Sequence, residues 1–159
     1  MATLPQLFEE DICVVDAALT EFLGHSSATA ALVVDKGGFL IVSQGDAGDV
    51  DFTTLAALAS GAFMANQTIA GLVGEKTFSS TLQQGDTFSL FVTEIDQHCL
   101  LIVLFKSKTG AGLVKYYSGN CTSLIAQQLV AAEERNPGNG FDLSALNLAE
   151  PQELFRKKP

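Results

Sequence analysis

Basic residues are scarce in this chain. Nine Lys and Arg stand against eighteen Asp and Glu, giving a net charge of −9 and a pI near 4.5. A surface of that sign repels a phosphate backbone, which argues against a nucleic-acid partner. Cysteine is also sparse. Cys13, Cys99 and Cys121 are far apart and form no CxxC pair, and each falls in an apolar pattern. They read as buried, reduced thiols of a cytoplasmic chain. No basic segment followed by an apolar run opens the sequence, so no secretion signal is expected.

Groups that carry chemistry are equally few. There are two histidines. His98 adjoins Cys99, but neighbours on a strand point to opposite faces, so the pair does not read as a nucleophile and its base. The zinc motif HExxH, the serine motif GxSxG and a metal-binding spacing of Cys or His are all missing. The loop Lys106–Gly112 contains Gly110-Ala111-Gly112, yet GxxxxGK[ST] is absent and the third glycine of GxGxxG is lacking, so it reads as a tight turn. Asp46, Asp49 and Asp51 miss the EF-hand spacing and no Glu follows at the twelfth place. They read as a polar loop in which Asp51 caps the following helix. The expectation is a protein that is not an enzyme and uses neither cofactor nor metal.

The longest absence is of charge. From Phe52 to Gly74, FTTLAALASGAFMANQTIAGLVG, there is no Asp, Glu, Lys or Arg. Leu55, Leu58, Ala59, Ala62, Ile69, Leu72 and Val73 recur at helical spacing, and Phe52, Ala56, Phe63 and Ala70 widen that stripe. The opposite side, with Ala57, Ser60, Gly61, Met64, Gln67, Thr68 and Gly71, is uncharged too. A helix with no solvated face is covered on both sides, by a larger core or by a second chain. The length suffices for a membrane span, but Asn66-Gln67, the threonines, Ser60 and the glycines are costly in hydrocarbon, so no membrane insertion is expected. A short chain that must cover both sides of one helix points to a dimer.

Around this segment the elements follow in order. Thr3-Leu-Pro-Gln6 resembles a capping box opening a first helix, which Gly24 stops. Two strands, Ala28–Lys36 and Phe39–Ser43, flank the turn Lys36-Gly37-Gly38. After the central helix, the polar alternation Lys76–Gln84 suits a sheet edge. Phe88–Ile95 is a further strand, and the uniformly apolar His98–Phe105 belongs mid-sheet. A last helix runs from Leu113 to Ala132, with Glu133, Glu134 and Arg135 passing into solvent. Asn136-Pro-Gly-Asn-Gly140 is a linker. The domain is residues 1–135. The tail 136–159 carries Phe141, Leu143, Leu146, Leu148, Leu154 and Phe155, which fold back on the domain or serve as a docking segment.

This order, with AALVVDKGGFLIVSQG, the uncharged segment, HCLLIVLF and GAGLVKYY, resembles the roadblock (dynein light chain) family and its bacterial MglB-like branch, over roughly residues 5–133. The resemblance implies an α/β, profilin-like layered fold with a mostly antiparallel five-stranded sheet and helices on both faces. It also implies dimers in which the second helices pack together and an edge strand pairs across the two-fold. The interface would then include Ala57, Ser60, Gly61, Met64, Gln67, Thr68, Phe78, Ser80 and Leu82. The partner it implies is a small Ras-like GTPase, which the dimer would activate or anchor. An arginine finger is the direct way to stabilise phosphoryl transfer, but only Arg135 and Arg156 exist, both outside the packed segments. A dimeric profilin- or PAS-like sensor of a small ligand, or a purely structural scaffold, is the alternative.

Overall fold

A computed structural model describes residues 4–135. The elements run α1 (Glu9–Ser26), β1 (Ala30–Asp35), β2 (Leu40–Gly45), α2 (Phe52–Leu72), β3 (Ser80–Gln84), β4 (Phe88–Glu94), β5 (Cys99–Lys106) and α3 (Ala111–Arg135), with a short 3-10 turn at Ser107–Thr109. The expected order of helix, two strands, helix, three strands, helix is the one observed.

The strands form one sheet in the order β2-β1-β5-β4-β3, antiparallel at every pairing. β5 is central, as its unbroken apolar run requires: Leu100, Leu101, Ile102 and Val103 are all fully buried. Alternate residues serve opposite layers. Leu101, Val103 and Phe105 join Ala31, Val33 and Phe91 beneath α1 and α3. Leu100 and Ile102 join Leu32, Val34 and Val92 beneath α2. The polar β3 lies at one edge and β2 at the other.

Turn chemistry places the hairpin between β1 and β2. The Gly37 amide donates to Asp35 Oδ1 at 2.6 Å, and Gly38 takes φ +100°. That conformation is open to glycine and strained for other residues. A β-carbon on Gly38 would also stand 3.1 Å from Ser60 Oγ and 3.3 Å from the Ala57 backbone, so the turn and α2 approach closely.

The start of α1 differs from the expectation. Thr3 lies outside the described residues, and Pro5 and Gln6 precede the helix rather than open it. The cap is instead built by Asp11, whose Oδ2 accepts from the Phe8 amide at 2.7 Å. The stop also moves. Gly24 stays helical, and Ser27 takes the left-handed conformation at φ 59° while its amide donates to Leu23 O. The helix continues two residues past Gly24 because the Ser27 amide satisfies the Leu23 carbonyl.

Asp11 further corrects the reading of Arg135. This residue is exposed as expected, but its head group is not free. Its guanidinium bonds both carboxylate oxygens of the fully buried Asp11, and it lies 4.2 Å over the Phe8 ring. Gln128 donates to the same carboxylate at 2.7 Å. A buried carboxylate needs such partners, and α3 supplies two of them, Gln128 and Arg135, the latter 124 positions along the chain from Asp11. The hydrogen bond from Arg135 is the main reason that the Asp11 carboxyl is held down to about 2, against the opposing effect of burial.

Because the folded value lies below the ordinary one, this contribution to stability is complete above about pH 4 and is lost as pH falls towards 2. Asp11→Asn is expected to lower unfolding free energy by roughly 2 kcal/mol at pH 7. Urea denaturation should show the gap between wild type and variant closing between about pH 4 and pH 2. A gap independent of pH would contradict the ionic origin.

Candidate functional site: the outer side of the second helix

Asp51 opens α2 as expected. Its Oδ1 accepts from the Thr53 amide at 3.0 Å, and its Oδ2 from the Thr54 hydroxyl at 2.7 Å. These bonds to the charged form lower the Asp51 carboxyl, the Thr54 hydroxyl contributing most. The helix then lies on β1, β2 and β5. Its buried side is made mainly of small residues, Ala56, Ala59, Ser60 and Ala70, with Phe63 buried among them and Phe52 and Leu55 half-buried against the same layer.

That arrangement rotates α2 relative to the sequence reading. Leu58, Ala62, Ile69, Leu72 and Val73, expected on the inner stripe, are exposed. Leu58 is 69% exposed, Val73 65% and Leu72 82%. The physical reason is that both sides of the segment are apolar, so periodicity cannot fix its phase. What fixes it is distance: small side chains at 56, 59, 60 and 70 let the helix settle close to the hairpin turn at Gly38, and Leu58, Ile69 and Leu72 are turned outward.

The result is an uncharged, half-apolar surface, from Ala57 and Leu58 through Gly61 and Met64 to Thr68, Ile69 and Leu72. Large exposed apolar patches on a small domain mark interaction sites. By length and composition α2 could also cross a membrane. Here, however, its inner side forms part of the second core layer.

Gln67 extends the surface to the sheet edge. Its Nε2 donates to Phe78 O at 2.7 Å, while its Oε1 accepts from the Phe78 amide at 3.1 Å and from the Thr77 hydroxyl. The chain entering β3 is thereby tied to α2. The helix surface and the edge of β3, which has no further strand beside it among the described residues, are held side by side.

Of the interface residues expected from the resemblance, Ala57, Gly61, Met64 and Thr68 lie exposed on α2, and Ser80 lies exposed on β3. Gln67 and Phe78 are half-buried in the clamp just described. Ser60 is buried against the sheet side, with its hydroxyl donating to Ala57 O at 3.2 Å. Leu82 is half-buried and packs into the layer under α1 and α3, because its parity on β3 matches Phe91. Phe78 precedes β3, which begins at Ser80 rather than Lys76.

Cys99 and Cys121 are buried, and burial pushes the Cys121 thiol up to about 12 and that of Cys99 higher still. Cys13 is exposed, contrary to expectation, because it sits one residue off the inner stripe of α1. His25 belongs to the last turn of α1 and stacks on Tyr117 at 5.2 Å. Among the described residues no group of three or more His, Cys, Asp or Glu could hold a metal ion.

Comparison with known proteins places this geometry. The Roadblock/LC7 domain matches residues 14–105. Two uncharacterized proteins of Methanocaldococcus jannaschii are each 30% identical over 101 residues, covering 64% of this chain and 87% of theirs. The gliding protein MglB of Thermus thermophilus superimposes with a TM-score of 0.76 at 26% identity, over 82% of this chain and 99% of that one. MglB of Myxococcus xanthus does so with a TM-score of 0.74 at 28% identity, over 80% and 96%. The layered fold, the order of its elements and the matched domain agree: the chain belongs to the roadblock/LC7 family.

Proposed function

We propose that this chain is a non-enzymatic, homodimeric regulator or scaffold that binds a small Ras-like GTPase in the cytoplasm. The observation that carries the reading is the bare, uncharged outer side of α2 beside the open edge of β3. A second copy meeting it about a two-fold axis would bury Leu58, Met64 and Leu72 and pair the two β3 edges, which answers both liabilities at once. The GTPase partner rests on the family resemblance and on the likeness to MglB. The regulatory step would work by positioning the GTPase's own groups, since Arg135 is engaged by Asp11 and Arg156 lies outside the described residues.

Two outcomes are expected. Met64→Glu places a charge in a dry interface while leaving the single-chain core alone, since Met64 is 45% exposed. It should weaken self-association by about 100-fold or more, on the order of 3 kcal/mol. Sedimentation equilibrium reads this directly, with far-UV circular dichroism unchanged. A wild type that stays monomeric at micromolar concentration would contradict the dimer. For the partner, titration calorimetry against a small Ras-like GTPase encoded in the same genome should show tighter binding to one nucleotide state. Equal affinity for the GDP and GTP-analogue forms, or no binding, would contradict the regulatory role.

A further inference from the structure

The layer opposite α2 carries an unfilled groove of its own. α1 and α3 run antiparallel there: the Cys121 thiol donates to Ala18 O at 3.8 Å, Gln128 reaches Asp11, and Tyr117 stacks on His25. The valley between the two helices holds a cavity of about 380 Å³, whose apolar lining is Val14, Ala17, Ala18 and Leu124. Gln127 and Gln128 border it on α3 and Glu21 on α1. Val14, Ala17 and Leu124 are exposed. Past Ala18 and Glu21 the valley continues into a smaller hollow beside His25 and Tyr117.

Two carboxylates bracket the apolar lining. Glu10, Val14, Ala17 and Glu21 recur at intervals of four, three and four, which sets them in line along one face of α1. The two glutamates are exposed and lie eleven residues apart, about 16 Å along the helix. α1 contains no Lys or Arg. Lys115 lies nine residues before Leu124 and so on the opposite face of α3. Arg135 feels the charge of Glu10 but is hydrogen-bonded to Asp11, and His25 Nε2 stands 3.8 Å from Glu21, beyond hydrogen-bond range.

An apolar seam between two helices takes the apolar stripe of a third. Here the seam has a carboxylate at each end, so charge complementarity calls for a cation at each end of the occupant. We infer that the α1–α3 groove docks a basic amphipathic helix of a partner protein, its apolar side chains on Val14, Ala17 and Leu124 and two Lys or Arg about eleven residues apart facing Glu10 and Glu21. A second copy offering this same face would set carboxylate against carboxylate. The tail 136–159 lies outside the described residues. Because the groove and α2 belong to opposite layers, the inference stands independently of the proposed dimer.

The test titrates the full, methyl-labelled chain with a synthetic helix of about fifteen residues, followed by nuclear magnetic resonance. The probe carries Leu along one face and a Lys near each end at the stated spacing, and its counterpart carries Glu in place of Lys. The Lys probe should shift the methyls of Val14 and Leu124 and bind at least about tenfold tighter than the Glu probe. Leu124→Ser should weaken it about tenfold, and Glu10→Lys/Glu21→Lys should reverse the preference between the probes. Glu10 and Glu21 are exposed, so the exchange leaves the core untouched, and the spectrum of the free variant checks this. Equal affinity for the two probes, or a preference that survives the exchange, would overturn the inference by showing attraction to the acidic chain as a whole. Absence of shifts, or shifts on Leu58 and Leu72 of α2, would overturn it as well. Shifts of Val14 and Leu124 on dilution of the chain alone would make the groove a contact between copies, which also contradicts it.

Discussion

The close seat of α2 on the sheet is the constraint from which the rest follows. Ala56, Ala59, Ser60 and Ala70 face inward, and Gly38 removes the last obstacle at the hairpin turn. With small residues filling most of the buried side beside Phe63, Leu58, Met64, Ile69 and Leu72 are left on the outside. A helix normally hides Leu and Ile and exposes Ala. Here close approach matters more than side-chain area, because an interior is filled by interdigitation and tolerates neither gaps nor overlaps. The uncharged outer side is thus a consequence of how the inner side packs.

The two layers of the molecule handle their liabilities differently. On the α1–α3 layer, a buried carboxylate holds the helices together at one end, and Asp11 collects Arg135, Gln128 and the Phe8 amide. Removing one partner of such a buried pair leaves the other uncompensated, so the arrangement fixes how α1 and α3 meet. On the α2 layer, no charge contributes at all between Phe52 and Gly74. Gln67 supplies the order there, through neutral hydrogen bonds to Thr77 and Phe78. One layer is latched by ions, and the other is smooth and, among the described residues, uncovered and bordered by an unpaired strand edge.

How much of this was legible in the sequence depends on whether contrast existed along the chain. β5 could be placed at the sheet centre because nothing polar interrupts it from Cys99 to Phe105, and β3 at the edge because Ser80, Thr81, Gln83 and Gln84 are polar on both parities. Asp51 announced its cap by standing directly before the uncharged run. The phase of α2 could not be read, since both sides are apolar and a moment needs two unlike faces. Small residues at 56, 59, 60 and 70 were the available signal, once close packing rather than hydrophobicity is taken as the guide. The Asp11–Arg135 pair was invisible for another reason. Contacts between residues 124 positions apart leave no local pattern, and Arg135 beside Glu133 and Glu134 looks like an ordinary solvated end.

The account turns on whether the outer side of α2 is covered by a twin copy in solution. Intermolecular nuclear Overhauser effects in a sample mixing labelled and unlabelled chains measure this without altering a residue. Contacts from the methyls of Leu58, Met64 and Leu72 to protons of the other copy's α2 are the predicted result. Contacts from those methyls to water alone would contradict it.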